Sequence, residues 1–301
     1  CGLSLTYHKA GGQAVCHYCG YHEPAPNKCP ECGSKYIRYF GSGTEKLEEA
    51  VSDLFPEYAA ERLDLDTVKR KGELMRKLKA FRSGKTQILI GTQIIAKGLD
   101  FRNVGLSGIV SADVSLNIPD FRSPERTFQL ITQAAGRAGR GDSQGHVVIQ
   151  TYSPEHYAVA FASQHDYKGF FETEKQLRAY MGYPPYSDLF QIVFTAKRED
   201  AAKDGAESWY ERIRGRMARE DQEMVFPPQQ AYLGKIKDIY RYSMLIKCPQ
   251  GQRAEYSRIV AAVREEDIEK KKKGQQVNIF CSLLFENYLK LHNLLLIEQY
   301  W

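Results

Sequence analysis

"LITQAAGRAGRGDS", Leu130 to Ser143, decides the reading of this chain. Continued as a helix, it places Gln133, Arg137 and Arg140 at i, i+4 and i+7, on one narrow face. Gly136 and Gly139 fall beside that face. A glycine in a helix interior costs about 1 kcal/mol relative to alanine. Either something approaches the backbone closely there, or the helix ends there. An amide and two guanidiniums beside glycine suit a polyphosphate, because the guanidinium fork is bidentate for phosphate oxygens and keeps its charge. The alternative is a solvated basic helix with flexible glycines.

The surroundings favour the phosphate reading, because the stretch ends an α/β unit. Upstream, "FGSGTEKLEEAVSDLF" opens a helix, with Ser42 and Glu45 at capping-box spacing. "ERLDLD" reads as a short strand, "KGELMRKLKAFRSG" as a helix stopped by Gly84, and "TQILIGT" as a buried strand. "VGLSGIVSAD" is another strand. "SPERTFQLITQAAGRAGR" is a helix with Ser123 as its cap and Pro124 at its first position. "GHVVIQTY" is a further strand. Strands alternating with helices predict a parallel, doubly wound α/β domain over about residues 41–155.

Residues 156–182 read as a helical connector, broken by "GYPPYS". Beyond it the order strand, helix, two strands, helix, strand predicts a small α+β domain. The boundaries drawn from composition are 1–40 for a Cys-rich region, 41–163 for the α/β lobe, 164–182 for a linker and 183–301 for the last domain.

The chain has 301 residues, 43% hydrophobic and 26% charged, an ordinary globular balance for two domains and a small module. No run of apolar residues is long enough to span a membrane, and no signal peptide opens the chain. It begins with Cys1 rather than Met, inside a cysteine cluster, and so reads as part of a longer protein. A net charge of +5 is compatible with nucleic acid but falls short of a strong basic footprint. Charge alone fits a mildly basic soluble enzyme equally well.

Five of the seven cysteines lie in the first 32 residues. Cys16-x-x-Cys19 and Cys29-x-x-Cys32 are paired knuckles, each followed by a glycine (Gly20, Gly33). Thiolates at that spacing close a small loop around a tetrahedral zinc, and a clustered odd set favours metal over disulfides. "FRSGKTQ" imitates a phosphate-binding loop but fails. The earlier glycine is Lys79, and the order is helix then strand, the reverse of what the loop needs. It reads as a turn. "YLGKIKDIYRYSMLIK" interleaves Lys235, Lys237 and Arg241 with Tyr232, Tyr240 and Tyr242. Basic and aromatic side chains together suit stacked bases or an acidic tail, and a half-buried amphipathic strand is the equal alternative.

Q-x-x-G-R-x-G-R resembles the sixth motif of superfamily 2 helicases, and "GTQIIAKGLDF" resembles their fifth. More closely, "LTYHKAGGQAVCHYCGYHEPAPNKCPECGS", "GSGTEKLEE", "ADVSLNIPDFRSPERTFQL" and "QTYSPEHYA" resemble, in order, the family of primosomal replication-restart helicases. The likeness runs to about residue 279. The tail "FCSLLFENYLKLHNLLLIEQYW" departs from it, which leaves the last strand in doubt.

The resemblance implies a RecA-like second motor lobe with a zinc-binding insert and an α+β last domain. It implies a 3′-to-5′ DNA helicase, driven by ATP with Mg, that recognises branched forks and starts primosome assembly. Arg137 and Arg140, with Gln133, would act on ATP as arginine fingers. Gly98, Asp100 and Gly136 would lie at the nucleotide. Thr92, Thr44 and Arg122 would grip DNA, with Lys235 and Arg241 in the last domain. The family's two interleaved zinc sites imply Cys1, Cys16 and Cys19 on one ion and Cys29 and Cys32 on the other. In this chain each set is short of four ligands.

The implied partners are branched and single-stranded DNA, the single-stranded-DNA-binding protein and helicase-loader proteins. The implied location is the bacterial cytoplasm, at the fork. With no phosphate-binding loop and no DEx[HD] box of its own, the chain by itself is expected not to hydrolyse ATP. The rival reading is a non-catalytic zinc-containing module that binds nucleic acid or acts as a scaffold.

Overall fold

The architecture comes from a computed structural model, which describes residues 5–8, 13–16, 20–28, 32–35, 44–63, 72–91, 101, 104–139, 145–271 and 277–284. The chain divides into two compact units. One holds Cys1–Pro26, Pro119–Phe121 and Phe171–Trp301, and the other holds Asn27–Ile118 and Arg122–Phe170.

The first unit opens with three short antiparallel strands, β1 (Thr6–His8), β2 (Gln13–Val15) and β3 (His22–Pro24). A turn between β2 and β3 carries Cys16. The Gly20 amide donates to the Cys16 carbonyl (2.9 Å), and the Cys16 amide donates to the Tyr21 carbonyl (2.7 Å). Gly20 makes this turn at φ 79°, where a side chain would be strained.

In the second unit, α1 (Thr44–Leu54) leads into β4 (Ala60–Leu63), then α2 (Glu73–Arg82) and β5 (Ile88–Gly91). β4 and β5 pair in parallel. α2 stops where expected, with Gly84 at φ 73°, and "SGKT" is a helix-to-strand turn. β6 (Leu106–Ile109) is followed by the short α3 (Asp113–Leu116), then α4 (Ser123–Ala135) and β7 (His146–Ile149), which pairs in parallel with β6. Two parallel strand pairs, each joined through helices, keep the expected parallel α/β character, and among the described residues they stand as two separate two-stranded sheets. Phe128 and Ile131 of α4 pack with Ala158 and Val159 of α5 (Tyr157–Ser163). α6 (Tyr167–Met181) follows and ends in the first unit.

The rest of the first unit follows the predicted order: β8 (Ser187–Ala196), α7 (Glu199–Arg214), β9 (Gln229–Ile236), β10 (Ile239–Pro249), α8 (Arg253–Lys271) and β11 (Asn278–Leu284). The sheet order is β11-β8-β10-β9, antiparallel throughout, which is the ferredoxin-like split arrangement. Ala202, Ala206, Trp209 and Ile213 of α7 are buried at helical spacing against Phe190, Ile192 and Phe194 of β8. The doubt over the last strand resolves in its favour. β11 pairs with β8 from Asn278 to Leu284, past the point where the tail departs from the family, because the pairing is made by backbone groups.

Candidate functional site

The arginine-bearing stretch corrects the helix reading. α4 ends at Ala135, so Gln133 lies in its last turn and Arg137 lies beyond it. The Gly136 amide still donates to the Thr132 carbonyl (2.9 Å). After that the bonds tighten to i→i−3, from Arg137 to Ala134 (3.1 Å) and from Ala138 to Ala135 (3.2 Å). The Gly139 amide then leaves the helix altogether and donates to the Val104 carbonyl (3.0 Å). One narrow helical face is therefore not formed. Of the two alternatives that glycine posed, the helix ends.

The turn is held from two sides. Gly139 has φ 79°, which favours glycine. His146 donates from its amide to the Gly105 carbonyl (2.8 Å), next to the residue that Gly139 engages. Gly136 has φ −65° and ψ 0°, open to any residue, and a Cβ there would make only ordinary contact with the Thr132 carbonyl (3.4 Å). Gln133 and Gly136 are exposed, and Arg137 is half-buried. Arg140, Thr92, Gly98 and Asp100 lie outside the described residues.

Arg122 sits half-buried at the other end of α4, as the residue before its first turn, and its carbonyl accepts the Arg126 amide (2.9 Å). A helix of that length separates Arg122 from Gln133 by roughly 16 Å. Ser123 is not the cap the sequence suggests. Its hydroxyl donates to the Ile118 carbonyl (2.6 Å), closing a small loop behind it. Pro124 does stand in the first turn. Thr44, half-buried, opens α1, while Ser42 lies outside the described residues.

Asp113, in the Asp-rich stretch before α4, is buried and structural. Its carboxylate accepts the Thr151 hydroxyl (3.1 Å) and the Tyr152 amide (3.1 and 3.2 Å), tying α3 to the end of β7.

In the first unit, Lys235 and Arg241 lie on the β9–β10 hairpin. Lys237 (φ 48°) and Asp238 (φ 61°) form its tip, a two-residue turn of the type that matches strand twist. Lys235 pairs with Asp238 (3.0 Å) and lies over the Tyr240 ring (4.7 Å). Hydrogen bonding to Asp238 and Tyr240 raises its pKa above the ordinary lysine value. A bulge between Tyr240 and Tyr242 pushes Tyr232 and Leu233 into solvent. Arg241, half-buried, stands opposite Thr195 of β8. The hairpin thus sets Lys235 of the edge strand β9 over the Tyr240 ring of β10, a cation-and-ring combination that suits bases.

Of the cysteine ligands, Cys16 and Cys32 are described, and Cys1, Cys19 and Cys29 are not. Cys16 is buried beside Phe121, Tyr183, Leu189 and Leu245. The turn around it fits a metal knuckle, since Gly20 and Gly33 both take positive φ where each CxxC pair ends. Among the described residues no group of three metal-ligating side chains comes together.

Sequence reasoning missed Phe121 and Gly145. Phe121 lies inside the stretch ADVSLNIPDFRSPERTFQL but carries no polar or charged group to mark a role. Gly145 shows its role only through its approach to Gly139.

A parallel α/β lobe in which Arg137 follows a helix at a glycine turn points to the class, the second lobe of a helicase. Residues 34–142 match the profile of the helicase conserved C-terminal domain. Residues 179–281 match the primosomal protein N C-terminal domain, and residues 1–24 match the PriA DNA helicase Cys-rich region, a zinc ribbon. The Replication restart protein PriA of Bacillus subtilis is 45% identical over 252 residues, 83% of this chain and 31% of that relative. That of Treponema pallidum is 41% identical over 83% of this chain and 37% of its own length. That of Synechocystis is 38% identical over 83% and 30%. The chain belongs to the PriA family of replication restart proteins. It spans about a third of the length of these relatives. Among the described residues, no helix is long and apolar enough to cross a membrane.

Proposed function

We propose that this chain forms the second motor lobe, zinc region and last domain of an ATP-dependent 3′-to-5′ DNA helicase that recognises branched forks and starts primosome assembly. The observation that carries the reading is the arginine turn itself. A helicase C-terminal profile spans it, and glycine geometry fixes it at the end of α4.

Arg137 and Arg140 reach across to a nucleotide held by another lobe and offset charge on the transferring phosphoryl group. Gln133 orients them, and Gly98, Asp100 and Gly136 lie at the nucleotide. With Mg, ATP is the substrate. Thr92, Thr44 and Arg122 hold the DNA backbone, and the hairpin with Lys235 and Arg241 meets branched or single-stranded DNA. Segments 1–40, 41–163, 164–182 and 183–301 are the working parts.

Zinc in the cysteine region has a structural role, with Cys1, Cys16 and Cys19 toward one ion and Cys29 and Cys32 toward another. The turn at Cys16 and Gly20 supports this reading. The single-stranded-DNA-binding protein and a helicase loader are the protein partners, at the fork in the bacterial cytoplasm.

The test is Arg137→Ala and Arg140→Ala in the protein that carries both motor lobes. Each variant keeps fork binding and loses DNA-stimulated ATP hydrolysis by about three orders of magnitude, the usual worth of such an arginine. Retained ATPase in both would remove the arginines from catalysis and leave a nucleic-acid-binding or scaffold module.

A further inference from the structure

The β9–β10 hairpin carries an irregularity that its sheet does not need. Lys235 pairs with Tyr240, and Gln230 pairs with Tyr242. Four residues of β9 (Ala231, Tyr232, Leu233 and Gly234) therefore stand opposite one residue of β10, Arg241. An ordinary bulge sets two against one. The surplus makes β9 arch outward between two regular pairs.

The arch is anchored from inside. Ala231 is buried. Gly234 leaves room for the Gln230 side chain, because a Cβ there would stand 2.7 Å from Gln230 Cδ. What the arch shows to solvent is apolar, with Tyr232 51% exposed and Leu233 56%. Large apolar side chains held out together in this way mark a contact surface.

Charge and shape say what it contacts. Over residues 230–242 the charged side chains are Lys235, Lys237 and Arg241 against Asp238 alone. Lys235 stands at one foot of the arch, held by Asp238 (3.0 Å) and by the Tyr240 ring (4.7 Å). Arg241 lies opposite the arch. The partner is therefore anionic beside an apolar group. An extended acidic peptide would add to the outer edge of β9 by backbone pairing, but the arch breaks the ladder that such a strand needs. A protruding ring between cations suits an unpaired base and its phosphates instead, since every base offers a π face. Bases inside a duplex have both faces covered by their neighbours in the stack.

We propose that the arch of β9 is a stacking site for an unpaired base of DNA. Tyr232 and Leu233 take the base, and Lys235 and Arg241 take the phosphates beside it. This rests on the reading of the hairpin as a DNA-binding element, and names what the element selects: unpaired over paired strands.

The test is equilibrium binding of labelled forked DNA to the intact protein, read by fluorescence anisotropy. A single abasic residue is moved one position at a time along the unpaired arm. The wild type is expected to lose about tenfold in affinity at one or two positions, the worth of one stacked base. Tyr232→Ala is expected to bind the complete fork about tenfold more weakly and to lose nothing further at those positions. Tyr232→Phe is expected to match the wild type, and all three to bind blunt duplex equally. Lys235→Gln and Arg241→Gln are expected instead to weaken binding to every DNA and to lower the salt dependence by about one ion each.

Tyr232→Ala with the wild-type losses in the abasic scan overturns the proposal, as does equal weakening on blunt duplex. So does a Tyr232→Ala variant that binds every DNA normally but loses affinity for a short Asp-Phe repeat peptide, which would give the arch to an acidic protein partner. If Lys235→Gln and Arg241→Gln bind every DNA as the wild type does, the DNA reading of the hairpin fails and the proposal with it. If they weaken binding and Tyr232→Ala does not, the stacking site alone fails. Should Tyr232→Ala fold poorly, Leu233→Ser carries the same comparison.

Discussion

A Cβ placed on Gly145 would stand 2.2 Å from the Gly139 nitrogen and 2.4 Å from the Ala138 carbonyl carbon. Those atoms are backbone and cannot swing aside. Gly145 therefore fixes the path of the arginine turn from outside it. Gly145→Ala is expected to displace residues 137–139 and lower DNA-stimulated ATPase by at least about tenfold, since small misplacements at a reacting centre are that costly. Gly108→Ala is the control, because a Cβ there meets nothing within 4 Å. Equal activity in the two variants would show that the turn tolerates the shift.

Asp113 joins α3 to the residues after β7 by bonds to Thr151 and Tyr152. Hydrogen bonds to a buried charged group are worth about 1.5–3 kcal/mol. Asp113→Ala is expected to destabilise the protein by about that amount in urea unfolding, and Asp113→Asn, which keeps an acceptor, by less. If Asp113→Ala unfolds at the wild-type urea midpoint but loses fork binding, the residue belongs to the DNA grip instead.

His156 caps α5, and its Nδ1 accepts the Ala158 amide at 3.2 Å. Only the neutral ring can accept there. Burial lowers its pKa below the ordinary 6.5, with Glu155 opposing. A lowered folded-state pKa means that the unfolded chain takes the proton first. The cap's contribution is therefore complete above the unfolded value and fades as pH falls through the folded one. One cap is worth about 1 kcal/mol. His156→Asn, a cap that does not titrate, is expected to flatten the decline of unfolding midpoint between about pH 7 and pH 5. The same slope in the variant would exclude the imidazole as its source.

Asp267 on α8 accepts the Trp209 indole N–H (2.5 Å) and the Arg212 guanidinium (2.6 Å), both on α7. Removing one member of a buried pair strands the other, at a cost of about 3 kcal/mol. Asp267→Leu is expected to lower stability by that order and shift Trp209 emission to the red, as solvent reaches a ring now fully buried. Unchanged emission with unchanged stability would mean that packing and the ion pairs of Glu266 with Arg212 and Arg216 suffice to join α7 to α8.

Much of this was legible in the sequence, for a local reason. Strand and helix periods in residues 41–155 survive because elements such as α2 and α4 bury one apolar face, and the α+β order survives because α7 does the same against β8. Gly84 stopped α2 because backbone conformation is a property of a few residues. The failures also have a common cause. Arg137 left the helix where the Gly139 amide meets the Val104 carbonyl, about 35 residues distant in sequence. Ser123 gave its hydroxyl to Ile118 rather than to the helix start. A hydrogen bond of comparable strength, offered from outside the helix, wins over helix propensity.

The sequence by itself determined the family, because residue types at fixed spacing (Q-x-x-G-R-x-G-R and the paired CxxC) are local. It determined the order of the elements, because hydrophobic periods are local too. Tertiary structure alone decided what packs around those motifs. Gly145 lies in no motif and Phe121 inside one, and neither has polar chemistry of its own. One matters because a backbone passes where its side chain would be. The other matters because Arg178 and Tyr183, distant in sequence, close on its ring. Close packing is a property of what meets in space, and only the folded chain brings these groups together.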